Sequence, residues 1–173
     1  MEVFKEKIKK IKILLLDVDG VLTDSSIVFD SDGKELKFFN ARDGHGIKML
    51  QRGNIEVGII TGRNSKATEA RANDLNISIV YQGVYDKIKI YNKIKDEKNF
   101  KDDDIAYMGD DIVDLTLIKK AGFSAVPSDC WEGLKKEADY VTKTKGGRGA
   151  VREVAELILK AQLKWKSITE QYR

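Results

Sequence analysis

The stretch "IKILLLDVDGVLTD", residues 11–24, decides the fold. A run of aliphatic residues, Ile13-Leu14-Leu15-Leu16, ends in two carboxylates, Asp17 and Asp19, with only Val18 between them. A short apolar run closed by turn residues is the pattern of a fully buried strand. At about 4 Å two unit charges repel by roughly 4 kcal/mol at an effective dielectric near 20. A strand end that carries two such groups therefore needs a cation or a proton beside them, and the rest of the chain must supply the reason.

Moving away from that strand, apolar runs alternate with helical periodicity, the signature of a parallel sheet with helices on both faces. Strands are predicted at 11–18, 56–60, 79–81, 105–108, 124–126 and 140–142. Helices are predicted at 46–51, 65–75, 87–98, 112–120 and 132–136. A last helix carries Val151, Val154, Leu157, Ile158, Ala161 and Trp165 on one stripe, which reads as packing surface. The expected architecture is a Rossmann-like α/β three-layer fold with a mainly parallel sheet. One segment departs from the alternation: "SSIVFDSDGKELKFFN" reads as two short strands around Asp30-Ser31-Asp32-Gly33, a hairpin insertion over about 26–39. The other connections are short, so no large cap domain is expected and residues 1–173 form one domain.

Composition narrows the function. The chain has 173 residues, 42% hydrophobic and 34% charged, with a net charge of +3, so lysines and acids alternate on solvated faces and no nucleic-acid partner is implied. The apolar stretch near the N-terminus is too short for a membrane span. Cys130 is the single cysteine, which excludes an intramolecular disulfide and favours a cytoplasmic location. Pro127 is the sole proline, and no linker, repeat or low-complexity tract divides the chain.

Open α/β sheets bind ligands beyond the carboxyl ends of their strands. The first strand delivers Asp17 and Asp19 there, the second Thr61-Gly62-Arg63, and the fourth Gly109-Asp110-Asp111, with Asp114 one helical turn later. Lys87 opens the helix after the third strand. Singly, Asp caps helices, Thr-Gly makes turns and Lys sits on surfaces. Together they place several carboxylates, a hydroxyl and an ammonium on one edge. Hard oxygen ligands without a His or Cys cluster favour Mg²⁺ beside a phosphate. Asp17 and Asp110 can hold the ion, Lys87 adds positive charge, and Thr61 with the Gly62 amide supplies donors, as phosphoryl transfer requires. Asp17 then suits a nucleophile and Asp19 an acid and base, with Gly20 letting backbone approach the phosphate.

The four segments "DVDGVLTD", "IITGR", Lys87 and "GDDIVD" resemble, in order, the motifs of the haloacid dehalogenase-like phosphatases. The further segments "GKELK", "FNARDGHGIKML", "YQGVYDK" and "GGRGAVREVAELIL" resemble the small, cap-less branch of 3-deoxy-D-manno-octulosonate 8-phosphate phosphatases. That resemblance implies a Mg²⁺-dependent phosphoric monoester hydrolase acting through a phosphoaspartate in lipopolysaccharide precursor synthesis, as a homotetramer. It implies Asp17 as nucleophile, Asp19 as acid/base, Asp17, Asp19 (through its carbonyl) and Asp110 as metal ligands, and Thr61 and Lys87 on the phosphoryl group. Asn40, Ala41, Arg42, Asp43 and Gly44, with Gly62, Arg63 and Arg71, would hold the sugar acid. Arg71 also fits a solvated helix charge, and His45, the only histidine, fits an incidental loop residue. Arg63, where phosphatases of nine-carbon acids are expected to carry Glu, favours an eight-carbon substrate over a nine-carbon one or other sugar phosphates.

Two features carry other readings. Gly146-Gly147-Arg148-Gly149 lacks the Lys-Ser/Thr of a phosphate loop and reads as a flexible lead into the last helix, with Arg148 a contact to a neighbouring subunit. Phosphoacceptor signalling modules also combine strand-end acids with Thr and Lys. In them the acidic pair leads and the phosphoacceptor stands alone on a later strand, whereas here the D-x-D pair leads and Asp19 supplies the base that a lasting phosphoaspartate must lack.

Overall fold

A computed structural model describes residues 3–172. Six strands form one parallel sheet: β1 (Ile13–Leu16), β4 (Glu56–Ile60), β5 (Ile79–Tyr81), β6 (Ile105–Met108), β7 (Phe123–Val126) and β8 (Tyr140–Val141), in the order β5-β4-β1-β6-β7-β8. β1 lies between β4 and β6, with Leu16 opposite both Ile59 and Met108, so the three strands end level with one another. Its four residues are fully buried. Leu14 and Leu16 face one core, with Ile47, Met49 and Leu50 of α2 (Ala41–Arg52) and Val154 and Ile158 of α7 (Ala150–Ala161). Ile13 and Leu15 face the other, with Tyr91 and Ile94 of α4 (Lys87–Glu97) and Leu117 of α5 (Leu115–Lys120). This period-two split on a strand covered on both sides is why the run reads as continuously apolar. Each such side chain contributes about 1.5–3 kcal/mol by burial.

The insertion is a two-stranded antiparallel hairpin, β2 (Val28–Phe29) and β3 (Glu35–Leu36). Asp30 closes its turn: Oδ1 accepts from the amides of Asp32 at 2.9 Å and Lys34 at 2.8 Å. Among the described residues there is no cap domain, and no helix is long and apolar enough to cross a membrane.

Three of the expected elements change. Strand β1 is shorter than 11–18, although the Asp17 amide still bonds Met108 O at 3.0 Å. Helix α2 begins at Ala41, not Gly46, because Asn40 Oδ1 accepts from the Arg42 and Asp43 amides and caps it. The last predicted helix is two: Leu163 has φ +59°, and Trp165 opens a separate α8 (Trp165–Thr169). An N-terminal helix, α1 (Val3–Lys9), and a short α6 (Glu132–Lys135) complete the set with α3 (Lys66–Asp74).

The glycine run before α7 is not a flexible spacer. The Gly147 amide bonds Val21 O at 2.9 Å, and a Cβ on Gly146 would meet Gly20 O at 1.8 Å. These glycines let one backbone lie directly on the loop that carries Asp19. Asp43 anchors the same junction, accepting from the Gly149 amide at 3.1 Å and the Arg152 amide at 2.8 Å.

Candidate active site

At the carboxyl edge of β1, β4 and β6 lies a cavity of about 360 Å³, lined by Asp17, Asp19, Thr61, Arg63, Lys87 and Asp110. Its rim is apolar, with Ile27, Val84, Tyr85 and Val113. A larger depression at the opposite edge has two of its lysines paired, Lys10 with Asp103 and Lys12 with Asp104, and gathers no such set.

Asp17 is 6% exposed and receives two local contacts: its Oδ1 accepts from the Val18 amide at 2.7 Å, and its Oδ2 lies 2.8 Å from Lys87 Nζ. Lys87, at the first turn of α4, also binds Asp114 Oδ1 at 2.6 Å. Asp114 is fully buried, takes the Tyr107 hydroxyl at 2.5 Å and accepts from the Asp110 amide at 2.9 Å. Oxygens of Asp17, Asp110 and Asp114 all lie within 4.8 Å of one another. Thr61 is buried, its amide bonded to Tyr81 O and its carbonyl taking the Val84 amide, so backbone on both sides holds it. Gly20 has φ +80°, and a Cβ there would meet Asp110 Oδ2 at 1.9 Å, so only glycine leaves that carboxylate its place.

The electrostatics follow from burial. Desolvation, with Asp114 adding repulsion and Lys87 opposing both, raises Asp17 to about 6. Desolvation together with Asp17, Asp114 and Asp111 raises Asp110 to about 7. Burial works against the Lys87 charge, but Asp17 and Asp114 outweigh it and raise its pKa. Three carboxylates facing one ammonium leave two uncompensated negative charges, which is the deficit a divalent cation fills. The donors are all hard oxygens, and Mg²⁺ fits them. Asp114 already takes Lys87, Tyr107 and two backbone amides, so Asp17, with two contacts, and Asp110 are the less committed carboxylates of the three.

The like-charge pair that opened the sequence proves to be divided. Asp17 faces Lys87 and the sheet, whereas Asp19 turns to Lys37 of the hairpin, with Arg63 Nε 3.8 Å away. Of the residues expected at the sugar acid, Gly62 and Arg63 line the cavity. Asn40–Gly44 and Arg71 do not: Asp43 and Gly44 are buried at the start of α2, and Arg71 pairs with Asp74 at 2.7 Å and donates to Asn40 O at 3.2 Å. His45 contacts Tyr172 rather than the cavity, at 3.0 Å. Arg148 pairs with Asp24 of its own chain at 3.0 Å. Sequence reasoning missed Tyr107 and Lys37. Lys37 closes the "GKELK" segment, but nothing in that segment assigned it a partner, and the only signal for Tyr107 is an aromatic with a polar tip next to the end of a buried strand.

A parallel α/β sheet with a buried aspartate just past the end of β1, and Lys87 and Asp110 beside it, is the arrangement of a haloacid dehalogenase-like hydrolase. The family model described as haloacid dehalogenase-like hydrolase matches residues 78–154. The chain is 44% identical to the 3-deoxy-D-manno-octulosonate 8-phosphate phosphatase of Yersinia pestis over 164 residues, covering 95% of this chain and 88% of that protein. It is also 44% identical to the phosphatase of the same name from Escherichia coli K12 over 156 residues, covering 90% and 83%. The crystal structure of the Moraxella catarrhalis phosphatase, in complex with a magnesium ion, a phosphate ion and KDO, superposes with a TM-score of 0.98 at 38% identity, covering 100% of this chain and 99% of that one. The chain belongs to the 3-deoxy-D-manno-octulosonate 8-phosphate phosphatase family.

Proposed function

We propose that this protein hydrolyses 3-deoxy-D-manno-octulosonate 8-phosphate to the free sugar acid and inorganic phosphate, using Mg²⁺, as a step in making lipopolysaccharide precursors. The observation that carries the reading is the buried triad Asp17–Lys87–Asp114 beside Asp110, a strand-end site with two negative charges to spare. Mg²⁺ is held by Asp17, Asp110 and the Asp19 carbonyl, and when bound it neutralises charge on the cluster and on the phosphoryl oxygens.

Asp17 attacks phosphorus and carries the phosphoryl group as an acyl phosphate. Its contact to the Val18 amide fixes one oxygen, which orients the carboxylate toward the cavity. Lys87 holds the other oxygen and, with Thr61 and the Gly62 amide, faces the transferring group. Asp19 gives a proton to the leaving sugar alkoxide and then takes one from the water that releases phosphate. Arg63 pairs with the substrate carboxylate, for which its planar fork is suited.

Asn40, Ala41, Arg42 and Arg71 bind the sugar acid across a subunit boundary, since one chain leaves them outside its own cavity, while Asp43 and Gly44 shape that end of α2 from beneath. A homotetramer built through the hairpin supports this, because Phe29 (58% exposed) and Phe38 (67%) lie bare on it. A cytoplasmic location is supported by the free thiol of Cys130. The test is phosphate release with Mg²⁺ from the eight-carbon 8-phosphate and from a nine-carbon keto acid 9-phosphate. The expected result is a higher kcat/KM for the former; an equal or higher value for the latter overturns the substrate assignment.

A further inference from the structure

The hairpin does more than project from the fold. Lys37, one residue past β3, sends its ammonium back beneath the hairpin to Asp19 Oδ1, and its side chain is 1% exposed. The same Nζ lies 3.5 Å from Glu35 Oε1. Glu35 Oε1 accepts from Arg63 Nη2 at 2.7 Å, and Arg63 Nε lies 3.8 Å from Asp19 Oδ2. Four side chains from three separate segments thus close a ring in which charges alternate: Asp19, Lys37, Glu35, Arg63. A lysine this buried stands only where its ion pairs are in place, so Lys37 and the carboxylates it holds specify each other's positions.

We propose that Lys37 is a positioning residue for Asp19, and that Glu35 holds Lys37 and Arg63 in register, so the hairpin is part of the reaction machinery. The proposal rests on the phosphatase reading above. In the first step, with Asp19 in its acid form and the proton on Oδ2, an Asp17 oxygen bonds to phosphorus, the phosphorus–alkoxide bond breaks, and the alkoxide oxygen takes that proton. In the second, the Asp19 carboxylate takes a proton from water, the water oxygen bonds to phosphorus, and the Asp17–phosphorus bond breaks. Lys37 exchanges no proton in either step. By holding Asp19 Oδ1 it leaves Oδ2 on the cavity side, facing Arg63, and a carboxylate free to swing would lose the short proton path that general acid catalysis needs.

The test uses leaving groups. The ratio kcat/KM covers steps up to formation of the phosphoenzyme. A sugar alkoxide must be protonated as it leaves, whereas p-nitrophenolate leaves without a proton. Lys37→Met is expected to lose about 30-fold more kcat/KM on 3-deoxy-D-manno-octulosonate 8-phosphate than on p-nitrophenyl phosphate, within the range general acid catalysis contributes. Lys37→Arg is expected to recover most of that selective loss. Equal losses on the two esters, or no loss on either, would overturn the proposal, because a purely structural lysine moves both alike. Should Lys37→Met fail to fold, as read by thermal denaturation, Glu35→Gln carries the same comparison with an expected selective loss of about 5-fold. Wild-type protein inert on both esters would sink the phosphatase reading and this proposal with it. Wild-type protein active on other alkyl phosphates but not the eight-carbon acid would sink only the substrate, and the comparison would then be made with those esters.

Discussion

Asp17 and Asp19 stand two residues apart, and each has a buried lysine, yet the two surroundings are built on opposite principles. Around Asp17 the charge is unbalanced: Lys87 faces Asp17 and Asp114, with Asp110 beside them, and burial has raised both Asp17 and Asp110. Around Asp19 it is balanced, with Lys37 and Arg63 matched by Asp19 and Glu35. The unbalanced region sits on the rigid ends of β1 and β6 and is completed by what enters it, a cation and a phosphoryl group. The balanced region spans an inserted hairpin and needs nothing further to be stable; what it supplies is geometry.

This contrast sets the order of effects. On the roles proposed above, Asp17→Asn removes the nucleophile and is expected to lower phosphate release by at least on the order of 10⁴-fold on alkyl and aryl esters alike. Asp19→Asn spares the nucleophile, so it should retain phosphoenzyme formation from p-nitrophenyl phosphate while losing about 10²–10⁴-fold on the sugar phosphate. Values of kcat/KM on the two esters, with the p-nitrophenolate burst of Asp19→Asn, check both. If Asp17→Asn kept a tenth of wild-type turnover on either ester, the division of roles between the two aspartates would be wrong.

The unbalanced cluster also has a pH signature. Asp17 at about 6 and Asp110 at about 7 both lie above the ordinary carboxylate value of 3.8. A raised carboxyl pKa means the folded state keeps protons that the unfolded state releases. The associated stability is therefore complete below about 4 and is lost as pH rises through 6 and 7. For Asp17 alone the shift corresponds to on the order of 3 kcal/mol at most. Metal-free protein should melt lower at pH 8 than at pH 5, and Mg²⁺ should raise Tm more at pH 8, by on the order of 5 °C. Differential scanning fluorimetry with and without EDTA reads this directly, and a Mg²⁺ effect no larger at pH 8 than at pH 5 would contradict the charge deficit.

Most of the unbalanced region was legible in the sequence, and little of the balanced one was. The strands could be read because a parallel sheet covered on both faces needs unbroken apolar runs, and 56–60, 79–81 and 105–108 match their observed bounds. The site could be read because its residues follow strand ends. The start of α2 was hidden: "NARDG" has the look of a loop, and its helical character rests on the Asn40 cap and on Asp43 gripping α7, a contact across more than a hundred residues. The break at Leu163 was hidden because neither Gly nor Pro marks it, and a leucine at φ +59° is an uncommon place to end a helix. Lys37 was hidden because its partner lies 18 residues away, and no local period encodes such a pairing.

Tyr107 belongs to the unbalanced region and should give the smallest effect. It is fully buried on β6, with its ring in the core and its hydroxyl at the floor of the site. That hydroxyl donates to Asp114 Oδ1 at 2.5 Å and accepts from Lys87 Nζ at 3.4 Å. Burial and the neighbouring Asp114 hold its pKa well above 10, so it is a donor at every working pH and does not titrate with the reaction. Tyr107→Phe keeps the ring and removes only the donor. Asp114 then loses one of its partners but keeps Lys87 and the Asp110 amide, and Lys87 keeps both carboxylates. A hydrogen bond to a charged acceptor contributes about 1.5–3 kcal/mol, and the remaining contacts retain part of it. A stability loss of about 1–2 kcal/mol by urea denaturation is expected, with kcat lowered about 3- to 10-fold and KM little changed. A drop in kcat as large as that of Asp19→Asn would mean that the hydroxyl meets the phosphoryl group itself, and the floor of the site would have to be redrawn.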